Sequence, residues 1–182
     1  MIASERSQNV IIAITIIAAV VSSGFLMSNA SYYTASYELV GRMTVDIVKT
    51  EVSSIDPANE TLMPRIVFTV NLRTTSSNEG SVRVNFIGAE ATLNGDLLSY
   101  TQFSRSVPVD SQSLYPNYDH NFTLRGSPDS DAPEDRDAII DAYQSDTWQW
   151  YVTLRYSFYI FDEYGSISFR FLTFNYTGAI VT

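Results

Sequence analysis

The sequence VIIAITIIAAVVSSGFLM, residues 10–27, decides how the rest of the chain is organised. It lies inside a longer run, residues 7–37, that contains no Lys, Arg, Asp or Glu. Because a helix rises about 1.5 Å per residue, roughly 20 apolar residues cross a hydrocarbon core of about 30 Å. A helix that is apolar on every face needs lipid or a large protein around it. The stretch therefore predicts a transmembrane helix over residues 9–30.

The charges on either side of this helix predict its orientation. Arg6 and the α-amino group precede it, whereas the next basic residue on the other side is Arg42. Basic residues close to a span favour the cytoplasmic side. We therefore expect a single-pass protein of the cell membrane, with residues 1–8 as a cytoplasmic tail, membrane lipid around the helix, and residues 31–182 as an extracytoplasmic domain.

A secretory signal peptide is the competing interpretation of the same stretch. Residues 10–21 form a short apolar core, and SNA at residues 28–30 resembles a small-x-small cleavage site. Against this, FLM at residues 25–27 carries the apolar run to the length of a membrane span. This extension favours a retained anchor, but the sequence alone leaves both interpretations open.

Composition narrows the partners and the chemistry. The chain carries 20 acidic and 11 basic residues, a net charge of −9, which argues against nucleic acid as a partner because nucleic acid is bound through clustered positive charge. With no cysteine, the chain has no disulfides, thiolate metal ligands or cysteine nucleophile. An exterior domain without disulfides is compatible with a prokaryotic and in particular an archaeal source.

Sequons of the form N-x-[ST] predict N-linked glycans on the exterior domain. The candidate glycosylation sites are Asn59, Asn121 and Asn175, and a fourth sequon at Asn29 lies too near the membrane. Asn59 is the best candidate, because it follows Asp56 and Pro57 in a turn-like stretch.

Alternation of apolar and polar residues predicts a chain rich in strands. Strands are expected at residues 37–52, 65–73, 82–93, 96–103, 121–125, 148–160 and 167–171. The inward parity changes between Phe86 and Ala89, which predicts a β-bulge near Ile87 and Gly88. Asn-Gly at residues 94–95 predicts a hairpin turn, and residues 162–165 predict a second turn between two long aromatic strands.

One segment has helical rather than strand spacing. Asp131 with Glu134 resembles a capping box, Pro133 suits a first helical turn, and apolar residues recur at helical spacing up to residue 144. Together with the strands, this predicts a mainly β fold: an antiparallel, immunoglobulin-like β-sandwich of about seven strands with one short helix, preceded by the N-terminal hydrophobic helix.

This order of elements resembles the type-2 late-embryogenesis-abundant (LEA) family, also called the water-stress and hypersensitive-response (WHy) domain. The matching segments are RIVFTVNLR, VRVNFIGAEATLNGDLL, EDRDAIIDAYQ, WQWYVTLRYSFYI and SISFRFLTF, within residues 37–176. One departure is RTTS at residues 73–76, where the family commonly has Asn-Pro. The resemblance implies a membrane-anchored prokaryotic sandwich, non-enzymatic, with a role in stress protection or binding, and it transfers no catalytic residue.

The sequence contains no recognisable catalytic pattern. His120 is the only histidine, and no G-x-S-x-G motif is present. Carboxylates at residues 129, 131, 134, 135 and 137 could bind Ca²⁺, but Glu134 and Ile140 break the EF-hand spacing, where glycine and a bidentate Glu belong. We therefore expect a solvated acidic loop, a structural or exposed histidine, no metal or other cofactor, and no enzymatic activity.

The long aromatic strand over residues 148–160 is expected to have one face in the core and the other on the surface. We expect the side chains at residues 148, 150, 156 and 158 in the core, and on the opposite face Tyr151, Tyr159 and Phe161 as a candidate interface with another subunit. The preferred function is a membrane-anchored, non-catalytic sandwich with a structural or binding role. The alternatives are a pilin-like subunit of a cell-surface filament, assembled through the hydrophobic helix, and an accessory subunit of a membrane complex.

Overall fold

The computed structural model describes residues 5–131, 133–161 and 170–181. A long helix, α1 (Glu5–Gly41), leads into an antiparallel β-sandwich. The elements that follow are β1 (Met43–Ser53), β2 (Arg65–Thr74), β3 (Val82–Leu93), β4 (Asp96–Leu97), β5 (Phe103–Ser106), α2 (Val109–Gln112), β6 (Ser113–Leu114), β7 (Asp119–Gly126), α3 (Pro133–Ser145), β8 (Gln149–Ile160) and β9 (Arg170–Val181). Of the described strands, seven have four residues or more, which confirms the predicted mainly β fold.

Two sheets enclose the core. The first has the strand order β1-β2-β7, and the second the order β4-β3-β8-β9, with β5 and β6 also paired to β3. Alternation in β2 turns one set of side chains inward, where Phe68 contacts Trp150 at 5.4 Å and Phe103 at 4.9 Å between ring centroids. The fully buried residues of β2 and β8 include Ile66, Phe68, Val70, Leu72, Val152, Leu154 and Phe158. The core therefore lies between the sheets, as a sandwich requires.

The register defines two ends of the sandwich. Met43 pairs with Thr74 at the end where α1 joins, which we call the α1 end, and Ser53 pairs with Arg65 at the opposite end, the far end. At about 3.3 Å per residue, β1 spans about 35 Å between them. β8 begins at the far end, where Trp150 pairs with Leu93.

The strand predicted from residue 37 begins only at Met43, because residues 37–41 continue α1. Ser36, Leu39 and Val40 are buried at the i, i+3, i+4 spacing of a helical face. Leu39 and Met43 fit an alternating pattern as well as a helical one, so the sequence prediction of a strand at residues 37–42 was wrong. α1 also extends past residue 30, and the limits of a membrane span within it stay a prediction.

The parity change in β3 is confirmed, but its position differs from the prediction. The register with β8 shifts between Val84 and Phe86, so that Asn85 is the extra residue instead of Ile87 or Gly88. Val84 and Ile87 are both buried, whereas Phe86 points away from the core and lies over Gly88. The bulge thus moves this aromatic side chain to the outer face of the sheet.

The predicted turn at residues 94–95 is confirmed, but the strand predicted to follow it is not. Asn94 and Gly95 have φ of 52° and 100°, the positive values that a type I′ turn requires. The predicted strand over residues 96–103 was too long: β4 is only Asp96–Leu97, and residues 98–102 form a loop before β5. The loop leaves the sheet because its backbone bonds to α3 instead, as described below.

The aromatic hairpin at the C-terminus is confirmed by the pairing of β8 with β9, from Ile160 opposite Arg170 to Gln149 opposite Val181. Of the side chains expected in the core, those at residues 150, 156 and 158 are buried and Trp148 is half-buried. The predicted turn at residues 162–165 and the strand residues 167–169 lie outside the described residues. The predicted helix is confirmed as α3.

Candidate functional site

α1 has two distinct environments along its length. Its C-terminal turns dock on the sandwich, where Ser36 and Leu39 have no exposed surface. Its apolar residues 10–27 stand clear of the sandwich, with Ile17 63% and Leu26 72% exposed. By length and composition α1 could cross a membrane. The structure therefore presents one continuous helix with a bare apolar half and a docked half.

Hydrogen bonds fix the docked half. The hydroxyl of Thr74 donates to the Leu39 carbonyl at 2.9 Å, which satisfies one of the carbonyls left open at a helix C-terminus. The backbone N–H of Ser81 donates to the Ser36 hydroxyl at 3.1 Å. Glu38 accepts a hydrogen bond from the side-chain amide of Asn78 and pairs with Arg42 at 2.7 Å. The loop between β2 and β3 therefore holds the end of α1.

Gly80 allows this loop to lie directly against the helix. A Cβ atom at Gly80 would lie 2.6 Å from the Ser36 hydroxyl and 2.8 Å from both Cα and N of Ser36. Two of these three atoms belong to the helix backbone and cannot move aside as a side chain could. Only Arg42 separates α1 from β1, so the helix and the sandwich are joined without a linker.

Tyrosines follow the apolar stretch on α1, at residues 32, 33 and 37. The rings of Tyr32 and Tyr33 meet edge to face, with centroids 6.1 Å apart, and Tyr33 packs against the core of the sandwich. Tyrosine is enriched where a membrane meets water. Tyr32 and Tyr33 therefore lie between the bare half and the docked half, where a span would end, and Tyr37 lies within the docked half.

At the far end, the first turn of α3 holds the loop that follows β4. Asp135 is 3% exposed, and its carboxylate accepts hydrogen bonds from the Tyr100 N–H at 2.9 Å and the Thr101 hydroxyl at 2.8 Å. The prediction that Asp135 is a solvated residue is wrong, because its carboxylate is buried and bonded to this loop. Spacing within α3 gave no signal for this role, because the partners lie 34 and 35 residues away.

Arg136, the next residue of α3, holds the loop between β1 and β2 through hydrogen bonds. It is 7% exposed, and its guanidinium donates to the carbonyls of Asn59 at 3.1 Å and Asp56 at 3.4 Å. Asp129 and Asp131 are exposed, and the carboxylate of Asp129 accepts a local hydrogen bond from the N–H of Asp131 at 3.0 Å. Among the described residues, no three His, Cys, Asp or Glu side chains are grouped so that they could hold a metal ion.

His120 is exposed on β7, with its ring 4.7 Å from that of Phe122. Next to it, Tyr118 is buried, and its hydroxyl donates to the Ser111 carbonyl at 3.1 Å. Burial, and to a smaller extent the nearby Tyr115, raise the pKa of Tyr118 well above its ordinary value. The surroundings of His120 are those of a surface aromatic residue.

The three residues predicted to form a subunit interface lie in two separate places. Tyr151 is 55% exposed and lies towards the far end. Tyr159 and Phe161 are half-buried near the α1 end, and the guanidinium of Arg83 covers the Phe161 ring at 4.6 Å. Eight residues of strand, or about 26 Å, separate Tyr151 from Tyr159. A subunit interface at these residues stays a prediction.

The three sequons differ in their surroundings. Asn59 is exposed in the loop at the far end, and its side-chain oxygen accepts hydrogen bonds from the N–H of Thr61 at 3.1 Å and its hydroxyl at 2.8 Å. Asn121 lies within β7 and accepts a hydrogen bond from the amide of Asn71 at 2.9 Å. Asn175 is exposed on β9. Glycosylation of these residues stays a prediction.

Two surface cavities occur in the described part of the chain that have room for a small molecule. The first, of about 420 Å³, lies on the outer face of the second sheet, where Arg155 and Glu90 pair at 4.0 Å. The second, of about 350 Å³, lies at the far end between β1, the end of α3 and the start of β8. Its walls are Thr50, Val52, Ile55, Tyr143, Asp146, Trp148 and Trp150.

Comparisons with known proteins find similarity among solved structures only. No family model and no curated protein matches the sequence. The chain is similar to a protein from Archaeoglobus fulgidus, with 13% identity over 76% of this chain and 98% of that chain and a TM-score of 0.42. It is similar to a candidate ApaA protein from Bordetella pertussis, with 14% identity, 76% and 89% coverage and a TM-score of 0.42. A candidate late embryogenesis abundant protein gives 13% identity, 93% and 88% coverage and a TM-score of 0.32. Likenesses at this level assign no family, activity or partner to the chain.

Proposed function

We propose that this chain is a membrane-anchored protein in which α1 crosses the cell membrane once and holds the sandwich outside the cytoplasm, where the sandwich has a structural or binding role. The observation that carries the proposal is the bare half of α1. Residues 10–27 are apolar and exposed on every side, while the same helix docks on the sandwich at Ser36 and Leu39. Apolar surface of this extent needs a covering, and a bilayer provides one.

The docked half supports retention of the helix after export. α1 runs without a break through residues 28–30, where a signal peptidase would cut, and it ends at Gly41. Leu39 and Val40 belong to the hydrophobic core of the sandwich. The tyrosines at residues 32, 33 and 37 suit the outer membrane–water interface, and Arg6 suits the cytoplasmic side.

Membrane fractionation tests the anchor. The wild-type chain should remain in the membrane pellet after alkaline carbonate extraction, with an intact mass that includes residue 1. Replacing Ile14 and Ile17 with Arg places two charges in the span, at about 2.5–3.5 kcal/mol each, and should shift the chain to the soluble fraction. The matched control is Leu97→Arg, which changes an exposed apolar residue outside α1 and should stay in the pellet. A mature chain that begins near Ser31 and is soluble contradicts the proposal.

Glycan analysis tests on which side of the membrane the sandwich lies. We propose that Asn59 carries an N-linked glycan, because it is exposed in a loop at the far end and its sequon threonine already bonds to the asparagine side chain. Asn59→Gln should remove one glycan mass, while its backbone carbonyl remains available to Arg136. Protease added to intact cells should remove the sandwich. Protection of the sandwich would place it in the cytoplasm.

The role of the sandwich follows its resemblance to the type-2 LEA family. We propose that it protects or binds other molecules and does not catalyse a reaction. Drying a labile enzyme with and without the purified chain tests protection, and a broad hydrolase screen tests catalysis. Turnover of any substrate in the screen would contradict the non-catalytic role.

A filament subunit is the second candidate, because neighbouring copies of α1 would cover the same bare apolar surface. In that case the α1 helices form a central bundle and the sandwiches lie outside, with Tyr151 or Tyr159 at contacts between copies. Electron microscopy of intact cells distinguishes the two: fibres that disappear in the Ile14→Arg, Ile17→Arg variant support the filament. Partners that co-purify in detergent would instead support an accessory subunit of a membrane complex.

A further inference from the structure

The cavity at the far end has aromatic walls. Trp148, the residue before β8, lies nearly parallel to Trp150, with 6.4 Å between ring centroids and 15° between planes. Trp150 is only 2% exposed, so the ring surface open to the cavity comes mainly from the half-buried Trp148. Tyr143 adds a third ring from the last turn of α3, and Val52 and Ile55 provide apolar surface from β1 and the loop that follows it. The volume of about 350 Å³ falls in the usual range for small-molecule sites, roughly 300–1,000 Å³.

The charges around this cavity favour a cation. Asp146 lies at its wall, exposed, and makes no ion pair with any described residue. α3 ends beside the cavity, where Tyr143 and Asp146 form part of the wall, and its last turn contains no basic residue. Aromatic faces attract cations as well. Carboxylate, helix end and rings therefore all act in the same direction.

We propose that this cavity binds a small organic cation with a quaternary ammonium group. A quaternary ammonium group has no N–H to donate, so aromatic faces and a carboxylate suit it better than a set of hydrogen-bond acceptors would. The cavity lies at the far end, about 30 Å along β1 from the α1 junction, beyond the reach of lipid headgroups around α1. The ligand therefore comes from solution. This site does not depend on whether α1 spans a membrane or forms a filament.

Isothermal titration calorimetry on the full chain in dodecyl maltoside tests the site, since this detergent has a sugar headgroup and no ammonium group. The probe is choline chloride, and the matched neutral compound is 3,3-dimethylbutan-1-ol, which has the same shape and hydroxyl without the charge. Choline should bind saturably and about tenfold tighter than the neutral alcohol at constant ionic strength. Equal affinity for the two would overturn the proposal, and so would a lack of choline binding.

Variants locate the binding in the cavity. Asp146→Asn keeps a residue that tolerates the observed φ of 53° and should weaken choline binding about threefold to fivefold. Tyr143→Leu should weaken it about twofold to fivefold. The controls are Asp141→Asn, which removes a charge from the same helix outside the cavity, and Tyr100→Leu, which removes an exposed ring elsewhere. Choline binding that responds equally to variants and controls overturns the assignment.

Discussion

The substitution Gly80→Ala should loosen α1 from the sandwich. The new Cβ would lie 2.8 Å from both N and Cα of Ser36, well inside van der Waals contact, so either the loop or the helix has to shift. Overpacking of this kind costs typically about 1–3 kcal/mol, which corresponds to a change of about 5- to 150-fold in the equilibrium for local opening. The cost should fall on the contacts of Ser36, Glu38 and Leu39 with the loop, because these contacts hold the docked half of α1.

Hydrogen exchange measured by mass spectrometry on the full chain in detergent gives the readout. Amide protection in residues 36–42 should fall by that factor in Gly80→Ala, while protection in β2 and β8 remains. The matched control is Gly41→Ala, because a Cβ at Gly41 meets no atom within 4 Å. Adding Ser36→Ala should not restore protection, since two of the three close contacts are with the backbone of Ser36. Unchanged protection in Gly80→Ala, or an equal loss throughout the sandwich, would refute the reasoning.

Three further predictions concern the sandwich. Asp135→Ala leaves the N–H of Tyr100 without its acceptor and should lower the free energy of unfolding by about 1–3 kcal/mol in a urea titration, whereas Glu134→Ala, at an exposed position in the same turn, should cost less than about 1 kcal/mol. Equal losses in the two variants would show that the hydrogen bonds of the buried Asp135 carboxylate add no stability. Thr50→Val removes an unpaired buried hydroxyl and should raise the free energy of unfolding by about 1 kcal/mol, so a lower melting temperature would contradict it. Because the pKa of Tyr118 is raised in the folded state, its contribution to stability is complete below the ordinary tyrosine pKa of about 10 and is lost as the pH rises above it. Tyr118→Phe should therefore lose less stability between pH 8 and pH 11 than the wild type, and an identical loss in both would argue against this role.

Sequence patterns predicted the parts of the fold that depend on local spacing. The alternation over residues 65–73 and 148–160 specified β2 and β8, and Asn94-Gly95 specified its turn because these residues readily adopt positive φ. Where a pattern fitted both the strand period and the helix period, the sequence prediction was wrong. Residues 36–41 satisfy both strand and helix spacing, and only docking against the sandwich selects the helix.

The bulge shows a second limit of the sequence. A change of parity required one extra residue in β3, but Phe86 and Ile87 are both apolar, so either could have pointed inward. The structure places the extra residue at Asn85, where the Phe86 ring can lie over Gly88. The position of the bulge depends on the space available on each face of the sheet, and local sequence patterns carry no information about that space.

The candidate sites could be predicted from the sequence even less well than the fold, because they are formed by tertiary contacts. The apolar half of α1 was evident from residues 10–27, but its docked half was not, since the partners Thr74 and Ser81 lie far along the chain. Trp148 and Trp150 were expected in the core, and their contribution to a cavity becomes visible only once α3 brings Tyr143 and Asp146 beside them.

The direct connection of α1 to β1 through Arg42 has a mechanical consequence. A single helix in a bilayer tilts by about 20° on average, and it tilts more when its apolar stretch is longer than the membrane is thick. A rigidly attached body about 35 Å tall would then swing its outer tip sideways by about 12 Å. Membrane thickness would thereby set how far this tip, and the aromatic cavity in it, extends over neighbouring molecules.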